Sequence, residues 1–459
     1  MKLYAPHFSG TTLRELASLA FPMVISQGAH AVMLFTDRLF MSRIDAVHMA
    51  ASLGGGIAAF FGIALFTGLL AYGNALVAQY YGAGANSKCS KVVTQGFFVS
   101  CLCTPIVLII GYGIWLAFAQ MGHDLQQVKL ERIYFSILIS ACSISLFKSC
   151  IASYFSGIGR TKIVMTAEVI GMIVNVPVSY MLIFGGFGFS EWGIAGAALG
   201  TVIGNLVALL IFVGFYFERD HARLFKVQNS FCLDKMIFKR YFRLGLPSGL
   251  ETFLNIAAFN IFLLMFQSYG VAAGASAAIV FNWDIVSFVP LMGLNIGVIS
   301  LIGRFVGAKD MTRTDEVMFS GFLIAILYSS CLAVCFILFR DQLVNVFATP
   351  NGDFEEIRSL STFMMVGMAS YVIADAVILV SSGVLRGAGD TRWLMYSSII
   401  QRWLQLIIQY FVIVVYEMKA EISWLVFVAS IIINAIIYFA RLKRGKWRKP
   451  KALEKVMAE

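Results

Sequence analysis

Long apolar runs, each closed by a short polar interval, recur from one end of the chain to the other. Twelve of them lie near 14–40, 48–72, 92–118, 132–156, 163–185, 193–217, 242–267, 275–302, 317–340, 359–385, 393–416 and 422–442. Each holds about 20 to 27 residues, the length a bilayer demands of a spanning helix. Polar residues interrupt them rarely and do not alternate with apolar ones, so the pattern predicts helices rather than barrel strands. The longest polar stretch inside the chain, ERDHARLFKVQNSFCLDKMIFKRY at 218–241, separates two sets of six spans. The expected organisation is an N-terminal lobe at 1–217, a cytoplasmic linker at 218–241, a C-terminal lobe at 242–442 and a basic cytoplasmic tail at 443–459. The fold class is therefore all-α and integral to the membrane, with twelve transmembrane helices in two six-helix lobes.

Composition agrees with that class. Of 459 residues, 59% are hydrophobic and 13% charged, against roughly 25% charged in soluble domains. The net charge of +10 is mostly a topology signal. With the N-terminus in the cytoplasm, most Lys and Arg fall at the inner ends of the spans, which sets the orientation and places both termini inside. Arg38, Lys148 and Arg402 are left at or within the membrane. The terminal RLKRGKWRKPK follows a span directly, so it suits anionic lipid headgroups rather than nucleic acid. The first apolar run is too long for a signal-peptide core, which argues against a cleaved leader. The eight cysteines do not form a disulfide framework, and Cys101 and Cys103 lack further ligands at zinc spacing, so no metal is expected.

The two halves repeat. Leu19-Ala20-Phe21-Pro22 answers Leu244-Gly245-Leu246-Pro247, and Ala78 to Gly84 (AQYYGAG) answers Gly303 to Lys309 (GRFVGAK) at the same offset. Phe155 to Lys162 (FSGIGRTK) answers Leu385 to Arg392 (LRGAGDTR) at nearly that offset. An even number of spans per half makes this a parallel repeat, which places a binding site near mid-membrane between pseudo-symmetric halves. The LRGAGDTR sequence, the paired QYYGAG and GRFVGAKD loops, the paired early prolines and the six-plus-six plan resemble the multidrug and toxic compound extrusion (MATE) family over about 14–442, with bacterial NorM-like and DinF-like features. The resemblance implies a V-shaped pair of lobes that exports organic cations and amphiphiles against inward flow of protons or sodium.

Residue chemistry adds candidates in each half. The first span carries Pro22 and Asp37. A carboxylate at membrane depth costs on the order of 2.5 kcal/mol or more and is a functional-site hypothesis by default, while a proline removes one helical hydrogen bond and makes a kink cheap. Asn175 and Thr201 lie equally far from the turn near Gly188 and so reach similar depth, where they are expected to bond one another or hold Asp37. Tyr134 is a further N-lobe candidate, and all three polar residues also suit plain interhelical packing. The resemblance implies that Asp37 is the family's helix 1 acid. It also implies that Asn175 and Thr201 match a DinF-like cluster and that Ser179 stands where a second acid is expected. In the second half, Asp375 and Arg402 are equidistant from the turn between their spans, which predicts a buried ion pair. Glu251 and Asn255, one turn apart, and Asp284 complete an expected C-lobe cluster; the resemblance implies an acid on helix 10 at Asp375 and one on helix 7.

The expected function is a proton-driven multidrug antiporter in the bacterial inner membrane, acting as a monomer on small-molecule drugs and organic cations. Protonation of Asp37 bends helix 1 near Pro22 and releases the drug outward. The alternatives are sodium coupling through the C-lobe acids, or a lipid or polysaccharide flippase of the same superfamily. An ATP-driven pump lacks its GxxxxGK[ST] loop here, and an enzyme lacks paired metal ligands or a nucleophile elbow. The 40 Phe and 20 Met suit soft organic cations.

Overall fold

A computed structural model describes residues 9–120, 124–186, 190–348 and 354–448. The hairpin centre near Gly188 and residues 449–459 of the basic tail lie outside the described residues. The helices are α1 (Gly10–Ile44), α2 (Ala46–Ala71), α3 (Gly73–Gly82), α4 (Asn86–Ala117), α5 (Leu125–Ser140), α6 (Cys142–Gly157), α7 (Thr161–Phe184) and α8 (Ile194–Tyr216). They continue as α9 (Arg219–Leu224), α10 (Lys235–Gln267), α11 (Val271–Gly307), α12 (Met311–Leu338), α13 (Arg340–Asn345), α14 (Glu355–Gly387), α15 (Thr391–Tyr410) and α16 (Ala420–Lys443). Among the described residues eleven helical stretches are long and apolar enough to span a membrane, with α2 and α3 counted as one. The pair α5 and α6, bent by 48°, makes a twelfth.

The helices outrun the apolar runs that predicted them. The AQYYG sequence, expected in a loop, forms the end of α3, and GRFVG ends α11 at Gly307. Helix α10 begins at Lys235 inside the expected linker. Apolar periodicity marks only the part of a helix in hydrocarbon; the polar turns beyond it keep their intrahelical hydrogen bonds in the headgroup region. The internal repeat extends to backbone conformation: φ is 75° at Gly84 and 59° at Lys309, and 78° at Gly159 and 87° at Gly389. These helix ends close in left-handed geometry, which glycine adopts without penalty.

Two compact units divide the chain, and their limits fall inside helices. One unit comprises Phe21–Phe253 with Gly307–Lys309; the other takes the residues up to Ala20, Leu254–Val306 and the chain from Asp310. The start of α1 belongs to the second unit for identifiable reasons. Glu15 accepts from Arg304 at 3.2 Å and lies 3.7 Å from Arg313, and Thr12 donates to Glu316 at 2.5 Å. Leu16 and Ala20 join the buried cluster of Leu294, Val298, Val380 and Leu385. The start of α10 belongs to the first unit because Gly245 and Gly249 let backbones meet. A Cβ at Gly249 would stand 2.3 Å from the Leu65 carbonyl oxygen, and one at Gly245 would stand 2.8 Å from that of Leu69. This is the small-residue spacing by which membrane helices approach closely.

The same device joins α7 to α8. A Cβ at Gly196 would lie 2.5 Å from the Leu182 carbonyl oxygen, and one at Gly204 would lie 2.8 Å from the Asn175 Cβ. In the second unit the core is aromatic: Trp424 is fully buried, donates to the Met364 carbonyl at 3.1 Å and stacks on Phe427. Phe427 stacks in turn on Phe262 at 4.6 Å. The matching turn motif is tied down as Arg441 grips Asp390 with Nε at 3.0 Å and Nη2 at 2.7 Å. The outward faces carry apolar side chains such as Ile109, Leu264 and Leu327, as a lipid solvent requires.

The linker is docked rather than slack. Its backbone carbonyls at Phe225 and Cys232 accept from Ser90 (2.7 Å) and Gln95 (2.9 Å) of α4. Lys91 pairs with Asp234 at 3.1 Å. His221 is 1% exposed inside a cage of Tyr154, Phe155, Tyr216 and Phe225, and its Nε2 shares a hydrogen bond with Tyr154 at 2.9 Å. Burial, and secondarily the charge of Arg160, pushes this histidine down from 6.5 to about 4.

Two outcomes follow from this packing. Gly196→Ala is expected to cost about 1–3 kcal/mol through overpacking, seen as a lower Tm in detergent, whereas Gly214→Ala, with nothing within 4 Å of its added Cβ, leaves Tm within error. For His221 the undocked linker binds a proton below 6.5 while the docked one stays neutral down to about 4. Docking is therefore fully stable above that window and weakens as pH falls through it. Hydrogen exchange of Val227–Ser230 should accelerate from pH 7 to 4.5 in the wild type and show a flatter profile in His221→Gln, after correction for intrinsic exchange.

Candidate functional site

In the unit formed by Phe21–Phe253, α1 runs unbroken through Pro22 and carries Asp37 to a position 1% exposed. Helices α7 and α8 lie close enough through their glycines to aim hydroxyls at it. Thr201 Oγ1 donates to one carboxylate oxygen by a short hydrogen bond, and Ser179 Oγ donates to the other at 3.3 Å. Asn175 Nδ2 donates to Ser179 Oγ at 3.2 Å. Tyr134, 3% exposed on α5, stands near enough to Thr201 and Asp37 to feel both. Gly55 makes room for it, since a Cβ there would lie 3.2 Å from its ring.

Of the two expected arrangements, bonding one another or holding Asp37, Thr201 takes the second. Asn175 and Thr201 do not bond one another, and Asn175 reaches Asp37 only through Ser179. The serine that stands in for an expected acid is itself a direct ligand of the carboxylate. Asn175 Oδ1 is fully buried without a hydrogen-bond partner among the described residues. The chemistry of this nest is specific. Hydrogen bonds to a charged group are worth about 1.5–3 kcal/mol each. A hydroxyl that loses its acceptor when the carboxylate is neutralised can turn to its own helix's i−4 carbonyl. No Lys, Arg or His forms a direct ion pair with Asp37 among the described residues; the charge of the neighbouring Arg38 reaches it, and a proton or a small cation can neutralise it.

The other expected cluster does not form as one. Glu251 is 4% exposed but belongs to the Phe21–Phe253 unit, carried there by the Gly245 and Gly249 contacts of α10. Asn255 donates to Ser398 at 2.7 Å, a bond between α10 and α15. Asp284 on α11 accepts from Ser287 at 3.1 Å. Asp284 and Asp375 feel one another's charge, and the fully buried Tyr371, one turn before Asp375, lies beside both. The expected direct ion pair is absent. Arg402 Nη1 donates to Gln405 at 3.1 Å, and although Arg402 and Asp375 feel each other's charge no salt bridge joins them. Equal depth brought them to one level, but a guanidinium takes the acceptor one turn away on its own helix when that acceptor is nearer.

Sequence reading noted Ser179 only as the place of an absent acid, and missed Tyr371 and a buried acid, Glu131 on α5, which accepts from Gln127 at 2.9 Å beneath Gly54. Its signal was available: a glutamate at the start of an apolar run, facing a Gly-Gly-Gly sequence in the preceding span. Among the described residues no three His, Cys, Asp or Glu side chains gather closely enough to hold a metal ion.

Comparison with known proteins agrees with this architecture. The chain is 26% identical over 394 residues to the multidrug resistance protein MdtK of Yersinia pseudotuberculosis, covering 85% of each chain. It is 26% identical over 443 residues to a probable multidrug resistance protein, NorM, of Shewanella oneidensis, covering 95% of each. Its fold matches a MOP superfamily transporter from Pyrococcus furiosus with a TM-score of 0.87 at 19% identity, over 95% of this chain and 97% of that one. The MatE family model matches residues 22–181 and 247–411, each beginning at one of the paired prolines. Matched over well more than half its length, in two repeats that coincide with its own, the chain belongs to the MatE family of membrane transporters.

Proposed function

We propose that the protein is a multidrug antiporter that exports organic cations and amphiphilic drugs from bacterial cells against an inward flow of protons. Asp37 is the proton acceptor. The observation that carries this reading is a buried carboxylate ligated by two hydroxyls, with no direct ion pair among the described residues. Charged, it orders Thr201 and Ser179, and through Ser179 also Asn175. Neutral, it releases them, and α1 bends near Pro22, where the ring has already removed one backbone hydrogen bond. Drug efflux as the outcome is supported by the names of the MdtK and NorM relatives. The Lys and Arg bias supports a bacterial inner-membrane protein with both termini in the cytoplasm. It acts as a monomer among membrane lipids, on small molecules alone.

A second reading couples sodium instead, through the other unit. The convergence of Asp284, Tyr371 and Asp375 favours it, because two carboxylates that feel one another are eased by a bound cation.

Everted vesicles separate the two. Under an imposed proton gradient, lumen acidic, the wild type should accumulate a fluorescent organic cation in the vesicle lumen, and Asp37→Asn should lower the rate more than tenfold. Thr201→Val, which removes one charge-assisted donor, should lower it roughly tenfold, the factor equal to 1.4 kcal/mol. Efflux driven by sodium alone and indifferent to Asp37→Asn would move coupling to Asp375. For the C-terminal unit, Asp375→Asn should abolish any sodium-stimulated component. Arg402→Ala should reduce it only a few-fold, because Arg402 is bonded to Gln405; equal losses in both variants would show instead that the pair acts as one switched ion pair.

A further inference from the structure

Glu131 on α5 is fully buried and takes no part in the Asp37 nest, yet it stands on a helix face that leads there. Gln127, Glu131 and Tyr134 are spaced i, i+4 and i+7, which sets three side chains on one face of a helix over two turns. Gln127 is half-buried near the start of α5, and its Nε2 donates to Glu131 Oε1 at 2.9 Å. Tyr134, next along the face, stands beside Thr201 and Asp37. All five residues belong to the Phe21–Phe253 unit. The Lys and Arg bias turns the start of α5 outward, so this polar stripe descends from the outer rim. Its last step, from Glu131 to Tyr134, covers roughly 4.5 Å of rise.

Helix α2 is shaped to the stripe. A Cβ at Gly54 would stand 2.6 Å from Glu131 Oε1, one at Gly55 would stand 3.2 Å from the Tyr134 ring, and one at Gly56 would stand 3.6 Å from it. Each glycine inside a helix costs about 1 kcal/mol against alanine. A carboxylate at membrane depth costs on the order of 2.5 kcal/mol or more. A scaffold has little use for both at one contact, since a larger apolar residue on α2 facing an apolar one on α5 would fill it. The charged groups around the stripe are engaged or exposed. Arg132 Nε donates to the Trp115 carbonyl at 3.1 Å, and its guanidinium lies 4.0 Å from that ring. Asp124 caps the start of α5, and Asp45 and His48 at the start of α2 bond one another at 2.9 Å. Lys129 and, beside Asp37, Arg38 are exposed.

We propose that Glu131 is the proton-entry residue of the transporter, taking protons at the outer end of α5 and passing them by way of Tyr134 to Asp37. This inference rests on the proton-coupled reading above and supplies the route to its acceptor. The transfer balances. An external proton adds to the Glu131 carboxylate. The Tyr134 hydroxyl oxygen then accepts that proton as its own phenolic proton passes to the Asp37 carboxylate. Glu131 is left charged again, Asp37 is neutral and the phenol is unchanged. A single bridging water completes such a transfer between groups one helical turn apart.

Stopped-flow recording with the dye pyranine, on the purified full-length protein in weakly buffered detergent, tests the route. Adding tetraphenylphosphonium to the wild type should release protons, and Asp37→Asn should release none. Glu131→Gln should release as many protons per protein as the wild type, with the same tetraphenylphosphonium affinity, but more slowly by about tenfold or more. A residue that only packed would alter extent and affinity instead. Glu131→Asp should restore most of the rate. In Gly54→Ala the new methyl meets the end of the Glu131 side chain; release should slow several-fold, and this variant supplies the readout if Glu131→Gln fails to fold. Gly56→Ala, in ordinary contact with Tyr134, should leave the rate unchanged. A wild-type rate in Glu131→Gln, a smaller extent of release in that variant, or equal slowing by Gly54→Ala and Gly56→Ala would overturn the route while leaving Asp37 as the acceptor. No release by the wild type, or undiminished release by Asp37→Asn, would overturn the proton-coupled reading and the route with it.

Discussion

A bilayer gives a buried polar group no water to bond, and the structure depends on that constraint throughout. A carboxylate, amide or hydroxyl within a span gains by finding a partner on another helix or on its own; Asn175 Oδ1 is left without one among the described residues. Asp37 meets the constraint by drawing one hydroxyl from α8 and one from α7. Those hydroxyls arrive only because Gly196 and Gly204 let the two helices approach at backbone distance. Close helix packing and the ligation of the acid are therefore one arrangement seen at two scales.

Glycine at four-residue spacing, Gly245 and Gly249, lies in one of the helices that change allegiance. In α10 it seats the first half of the helix against α2, so that Glu251 and Asn255, one turn apart, fall in different compact units. In α1 the change comes just before Pro22, after Glu15, Leu16 and Ala20 have been secured by Arg304, Arg313 and an apolar cluster. The two prolines that mark the repeat thus sit near the points where a helix passes from one unit to the other. A helix missing a backbone hydrogen bond at such a point deforms at small cost.

Polar layers in the Phe21–Phe253 unit differ in kind. The layer at Asp37 is a lone acid among neutral donors, suited to gaining and losing one positive charge. The layer two turns inward is already neutralised, Lys148 against Glu168, and partly accessible. The two lie on the same faces of α1 and α7, two helical turns apart.

Much was legible in the chain itself. Apolar run length fixes how many helices cross a bilayer, Lys and Arg bias fixes their expected direction, and the repeated motifs gave the family before any contact was known. Depth was legible as well, because helical rise is constant, so Asn175 and Thr201, and separately Asp375 and Arg402, were brought to common levels by counting residues. What counting does not supply is azimuth and competition. Whether Arg402 meets Asp375 or Gln405, whether Asn175 meets Thr201 or Ser179, and which unit receives Glu251 depend on helix rotation and on differences of an ångström between rival partners. Those were decided by tertiary packing, by where a glycine lets one backbone touch another, and no local pattern in the sequence encodes that distance.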